Sequence, residues 1–171
     1  ERLKEIPDTE VHLVMTHGAE LTIEQETGYS VNEVKALSDF CYGLEEIGEK
    51  PASGSFNMDA MIVVPCSMGT LSAICHGSSH NLLERAADVC LKERRPLVIV
   101  PREAPYNQIH LENMTKLSGY GAVIMPASPG FYSRPRTIEE MVDFFVTRIL
   151  DQMGIHEPSE SRWTGMDVCV K

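Results

Sequence analysis

The chain has 171 residues and a formal net charge of −10. That length suits one domain with a sizeable core, and the acidic balance argues against general nucleic-acid binding, which needs a broad basic face. No apolar run reaches the roughly 18–20 residues of a membrane-spanning helix, and no signal peptide is visible, whereas a small phosphorylated ligand held by a few local cations remains open.

The first residues, ERLKEIPDTE, are charged and read as the end of a helix. VHLVM (11–15) is the first strand signal, and Thr16-His17 follow it. Glu26, in EQETG, falls near a helix end, either as a proton carrier or as a solvated glutamate. Val31, Val34, Leu37 and Phe40 recur at helical spacing, with Ser30 as the cap. The second strand, AMIVVP (60–65), runs into Cys66-Ser67-Met68-Gly69-Thr70. That loop opens a helix whose free amides and positive dipole end suit an anion; a simple N-cap explains it equally well. From Gly69 to about Arg95, two helical pieces flank the polar break HGSSHN. The second piece puts Leu82, Leu83, Ala86, Ala87, Cys90 and Leu91 on one face, and carries Arg85, Lys92, Arg94 and Arg95 at its edge or end. Cations there complement a helix dipole on a solvated face.

PLVIVP (96–101) is the third strand and ends at Arg102-Glu103. Arg102 suits bidentate binding of a phosphate or carboxylate, or a salt bridge to Glu103. Residues 106–118 form a further helix. GAVIMPA (121–127) is the fourth strand, and the loop after it holds FYSRPR. A longer helix spans 138–152, with Ile138, Met141, Val142, Phe145, Ile149 and Leu150 inward. Thr137 is its cap, with Glu140 completing a capping box. The tail from Gly154 has weak pattern.

Three of the four strand signals lack alternation and are bounded by Pro or Gly, as parallel strands buried on both faces are. Strand, helix, strand, helix with short connections predicts an open, three-layer α/β/α fold of the flavodoxin or Rossmann-like kind, with a mainly parallel sheet and one domain over 1–171. Ligands bind such sheets at the carboxyl ends of the strands. The five cysteines fit no disulfide or zinc spacing and imply reduced thiols in the cytoplasm. The histidines form no metal-ligand spacing, and there is no GxSxG elbow of a serine hydrolase.

The blocks NLLERAADVCLKERRPLVIVPRE and PGFYSRP, set among PCSMGT and the strands above, resemble the UbiX-type flavin prenyltransferases from about Glu10 to Trp163. The resemblance implies transfer of a dimethylallyl group from dimethylallyl phosphate to reduced FMN, with bonds to flavin nitrogen-5 and carbon-6 and no metal. The prenylated FMN would serve a UbiD-type decarboxylase. By the same resemblance Thr16, Ser67, Met68, Gly69, Thr70 and Arg102 bind FMN. Tyr132, Arg148 and Lys92 bind the prenyl phosphate, Arg85 and Glu103 reach the site in the oligomer, and Glu26 moves a proton. Lys92 and Glu103 also stand with Glu26 as catalytic candidates. A dodecamer with sites at subunit contacts is expected. The family begins with a strand and the loop GxSGAxYG. Neither is present ahead of Glu1, so the sequence is expected to be incomplete at its N-terminus. The related FMN-dependent oxidative cysteine decarboxylases of the phosphopantothenoylcysteine type carry PASANT and PxMNxxMW, where this chain has PCSMGT and PREAPYNQIHLEN. That activity and a non-catalytic flavin-binding subunit are the alternatives.

Overall fold

A computed structural model describes residues 1–156. Strands and helices alternate along it: β1 His12–Val14, α1 His17–Glu26, α2 Val31–Lys35, β2 Phe40–Tyr42, β3 Met61–Cys66, α3 Met68–Cys75, α4 Leu82–Lys92, β4 Leu97–Pro101, α5 Gln108–Gly119, β5 Val123–Ile124 and α6 Ile138–Gln152. Short 3-10 turns lie at Arg2–Glu5 and Lys50–Ala52. Of the C-terminal tail, residues 157–171 lie outside the description, and Trp163 and Cys169 with them.

Every strand pairing is parallel. The expected sheet is divided in two: β1 pairs with β2, and β3, β4 and β5 pair in that order. β1 and β3 therefore each keep an edge without a strand partner among the described residues. β4 has partners on both sides, and all five of its residues are buried. The pleat sends its side chains alternately to two layers. Leu97 and Ile99 join Leu71, Ile74, Leu83, Cys90 and Leu117 from α3, α4 and α5. Val98 and Val100 meet Ile149 of α6 on the other face. Each such aliphatic side chain contributes about 1.5–3 kcal/mol of burial before the entropy cost of ordering. This is the three-layer arrangement expected.

Several local expectations shift. The helical spacing through Phe40 breaks early: α2 ends at Lys35, and Phe40 begins β2. Asp39 accounts for the change. Its carboxylate accepts from the Val11 amide at 2.8 Å, and the amides of Asp39 and Phe40 both donate to the Val11 carbonyl, which lays this segment beside β1. β3 is an edge strand rather than one buried on both faces, and Val64 is 58% exposed. Pro65 has no N–H to donate, and the β3–β4 register shifts between Val63 and Cys66. On α6, Ile138 and Val142 point outward, and Phe144 and Thr147 are buried instead. Thr137 caps that helix, but Glu140 reaches back to the Arg136 amide rather than closing the box on Thr137.

α4 ends at a residue with no sequence warning. Arg94 has φ +57, the Arg95 amide donates to the Cys90 carbonyl at 2.9 Å, and the Arg94 amide donates to Leu91 at 3.2 Å. Glycine is the usual residue at this left-handed position, where a Cβ costs about 1–2 kcal/mol. Arg94→Gly is expected to raise the urea midpoint by about 1 kcal/mol in stability with an unchanged m value. A lower midpoint would mean that the Arg94 side chain stabilises more than its backbone costs.

Candidate functional site

Because the strands run parallel, their carboxyl ends gather the loops that follow them. Thr16 leaves β1 as the N-cap of α1, its Oγ1 accepting from the Ala19 amide at 3.1 Å. Ser67 leaves β3 as the N-cap of α3. Its Oγ accepts from the Thr70 amide at 3.2 Å and donates to Thr70 Oγ1 at 3.0 Å. Cap and anion site are thus compatible, since one amide is used by Ser67 and the others of the first turn still point outward. Met68 turns inward against the core. Gly69 is exposed, and a Cβ added there would have no neighbour nearer than 3.8 Å, so protein packing does not itself demand glycine. Arg102 follows β4 and is exposed. The alternative of a salt bridge to Glu103 is not realised: Glu103 accepts from the Ala104 amide at 3.0 Å, and among the described residues Arg102 makes no ion pair. A free guanidinium, the exposed Ser67 hydroxyl and open helix amides on one edge suit an anion.

A second group sits elsewhere. Lys92 is the last residue of α4, ahead of β4, and its ammonium bonds the Glu93 carboxylate. This pair holds the Glu93 carboxyl below the usual carboxylate range. Arg85, half-buried, donates from Nε to the Ala52 carbonyl at 3.2 Å and from Nη1 to Asp88 at 2.7 Å. Arg95 donates to the Gly54 and Phe56 carbonyls, each at 2.7 Å. Lys92 and Arg102 therefore flank β4 at opposite ends, and five strand residues span roughly 16 Å. One protomer does not bring them together.

Tyr132 packs on the helix that carries Arg148. The Tyr132 ring meets Phe144 edge-on at 5.2 Å, and Arg148 lies four residues further along the same helix. A Cβ on Gly130 would fall 2.8 Å from a Tyr132 ring carbon, so the ring rests on bare backbone. Arg148 Nη1 donates to Asp151 at 2.6 Å. Glu26 is the exposed last residue of α1, about 14 Å of helix from the Thr16 end, so this protomer does not place it beside the loops. Sequence reasoning missed Gly54, Glu93 and Arg95 as neighbours of Lys92; the joined string KERR was the only signal. A shallow groove along α1 is lined by His17, Glu20, Leu21, Glu24 and Val31. Its two carboxylates repel phosphate, so the carboxyl-edge loops are the better site. Among the described residues no group of three His, Cys, Asp or Glu could hold a metal ion, and no helix is long and apolar enough to cross a membrane.

The family model described as Flavoprotein matches residues 1–150. A probable UbiX-like flavin prenyltransferase of Streptomyces sp. (strain D7) is 49% identical over 166 residues, covering 97% of this chain and 83% of its own length. A dodecameric FMN-dependent UbiX-like decarboxylase from Escherichia coli O157:H7 superposes with a TM-score of 0.92 at 49% identity, covering 95% of this chain and 88% of that one. A UbiX protein solved in complex with FMN and dimethylallyl pyrophosphate gives a TM-score of 0.87 at 46% identity, over 94% of this chain and 85% of that one.

Cys66 ends β3 directly before the Ser67 loop, and burial pushes its thiol up to about 12; burial pushes Cys90 up to about 11. Cys41 is exposed. With iodoacetamide at pH 8, Cys41 is expected to alkylate first, and Cys66 and Cys90 only once urea unfolds the chain. Peptide mass mapping reads the order. Early labelling of Cys66 would mean that the loop opens in the native state.

Proposed function

The chain belongs to the UbiX-like flavin prenyltransferases within the flavoprotein family, and from that premise we propose that it joins a dimethylallyl group, delivered as its monophosphate, to reduced FMN. The observation that carries the reading is near-half identity over almost the whole chain, with the site-bearing segments inside the matched span. Thr16, Ser67, Met68, Gly69, Thr70 and Arg102 bind FMN, with the Ser67–Thr70 loop wrapping the flavin and the Arg102 guanidinium contacting it. Lys92, Tyr132 and Arg148 take the prenyl phosphate. As the carbon–oxygen bond breaks, the leaving phosphate gains charge, and fixed cations stabilise that charge more than the ground state. Excluding water protects the allylic cation from quenching. Glu103, at the Arg102 end, and Glu26 are the carboxylates for proton transfer.

The opposed positions of Lys92 and Arg102 support a site assembled from two copies, in which the α4 end of one protomer meets the carboxyl edge of another. Arg85 and Glu26 reach the chemistry in the same way. A homo-oligomer, and a dodecamer as in the E. coli relative, supplies such contacts. The product would be handed to a UbiD-type decarboxylase. Free, mostly buried thiols support a reducing, cytoplasmic location.

Anaerobic incubation of the full-length enzyme with reduced FMN and dimethylallyl phosphate is expected to give flavin heavier by one prenyl group on mass spectrometry. Dimethylallyl diphosphate run in parallel is expected to react more slowly. Flavin of unchanged mass with both donors would sink the reading. Arg102→Ala and Lys92→Ala are each expected to keep only a small, measurable fraction of the parent activity alone. Co-expressed, they pair an intact carboxyl edge with an intact α4 end at about a quarter of random contacts and regain activity to that extent. Mixed oligomers no more active than either variant alone would show that each site lies within one protomer.

A further inference from the structure

Lys92 stands on a seat built by residues with no assigned role. Gly54 faces it. A Cβ built on Gly54 would meet the Glu93 Oε1 first and would lie 2.7 Å from Lys92 Nζ and 3.0 Å from the Glu93 carboxyl carbon, inside normal contact distance. Gly54 does not have a left-handed backbone angle, so its glycine identity answers to space rather than conformation. The turn carrying it is held from several sides. Arg95 donates to the Gly54 and Phe56 carbonyls at 2.7 Å each, and Arg85 to the Ala52 carbonyl at 3.2 Å. Ser53 and Ser55 hydroxyls pair at 2.8 Å, and the Phe56 amide closes on the Ser53 carbonyl at 3.2 Å. Pro51 is buried beneath it. A flexible lysine ordinarily spends much of its time away from any one position. Here its head, on a side chain 45% exposed, rests between the turn and the Glu93 carboxylate.

We infer that Gly54 is a positioning residue for the transfer: its missing side chain leaves the space in which the Lys92 ammonium meets the prenyl phosphate, and Arg95 fixes that space by clamping the Gly54 carbonyl. The inference rests on Lys92 being a prenyl-phosphate ligand. The incoming phosphate replaces the Glu93 carboxylate on Lys92 without requiring the turn to move. The cost of ordering the ammonium is then met on folding rather than on binding. Because the atoms that a Gly54 methyl would strike are the tips of two flexible side chains, Gly54→Ala displaces Lys92 and Glu93 while leaving the backbone compatible.

The test is a steady-state comparison of the parent, Gly54→Ala, Lys92→Ala and the double variant, with FMN affinity, thermal midpoint and oligomeric state measured on each. Gly54→Ala is expected to raise KM for dimethylallyl phosphate about tenfold, the scale of one charge-assisted hydrogen bond, with FMN affinity and thermal midpoint unchanged. In the Lys92→Ala background the Gly54 substitution is expected to add nothing, since its effect runs through the ammonium. Arg95→Lys, which keeps the charge but loses the fork, is expected to move the same KM in the same direction and carries the test should Gly54→Ala not fold. An unchanged donor KM in Gly54→Ala, beside a damaged Lys92→Ala, would overturn the inference and leave the Lys92 assignment standing. So would a full Gly54 effect persisting without Lys92. Unimpaired donor use by Lys92→Ala would overturn both.

Discussion

The burial of β4 between two helical layers governs where this protein can hold charge. Its five residues are closed off on both faces and along both edges, and an ion there would face a desolvation cost that no partner in an aliphatic environment offsets. Cations are therefore confined to the two ends of the strand. Lys92 and Arg95 lie ahead of it and Arg102 behind it. The basic run that looks continuous in sequence becomes two clusters, separated by the length of the strand. A reaction that joins two phosphorylated substrates can use both clusters if they come from different copies. On the proposed assignment of Lys92 and Arg102, the strand that stabilises the fold also makes assembly a condition for a complete site.

The two ends are built on different physics. At the carboxyl end the donors are open: Arg102 makes no ion pair among the described residues, and the first turn of α3 offers amides that Ser67 does not consume. Such a surface is ready for a strongly bound anion that stays in place. At the other end Arg85, Lys92 and Arg95 are held by the chain itself. Arg95 bonds backbone carbonyls, Arg85 bonds a carbonyl and the Asp88 carboxylate, and Lys92 bonds Glu93. Arg148, on α6, is held in the same way by Asp151. Carbonyl partners satisfy a guanidinium without neutralising it, so they position charge and leave its field intact. Carboxylate partners do neutralise, and can be replaced by a stronger anion.

Much of this order is visible in the residues, because burial and periodicity are local signals. PLVIVP reads as a doubly buried strand and is one; Leu82 through Cys90 reads as an amphipathic helix and is one; Ser30, Ser67 and Thr137 all cap the helices they precede. Errors fall where a long-range contact decides. Phe40 fits a helical spacing, yet Asp39 binds the Val11 backbone and draws the segment into a strand. Ile138 and Val142 have the right period for an inward face, but the sheet they pack against sets that face one position away, on Phe144 and Thr147. Gly54 was unreadable for the same reason. Nothing in SGS indicates that a lysine nearly forty residues later needs the space, because that requirement exists only once Arg95 has pinned the turn.

An acidic protein that binds two phosphates faces a general repulsion as well as a local attraction. At physiological ionic strength charges beyond about 8 Å are largely screened, so a net charge of −10 weighs less on the ligand than the groups in direct contact. The carboxylates that matter are then the few beside the cations, Glu93 and Asp151. With their cations already paired, the arrival of a phosphate would, on the proposed assignment, be an exchange of anions at an ammonium or guanidinium, not the first neutralisation of a bare charge. Part of the attraction is given up in that exchange, but side chains that would otherwise sample many rotamers are already in position. The exchange favours a dianion over a monoanion, and it favours most the phosphate whose charge grows as the carbon–oxygen bond breaks. On the proposed assignment, fixed cations stabilise the departing phosphate more than the bound donor because its charge grows, while the cost of displacing their carboxylate partners is the same for both.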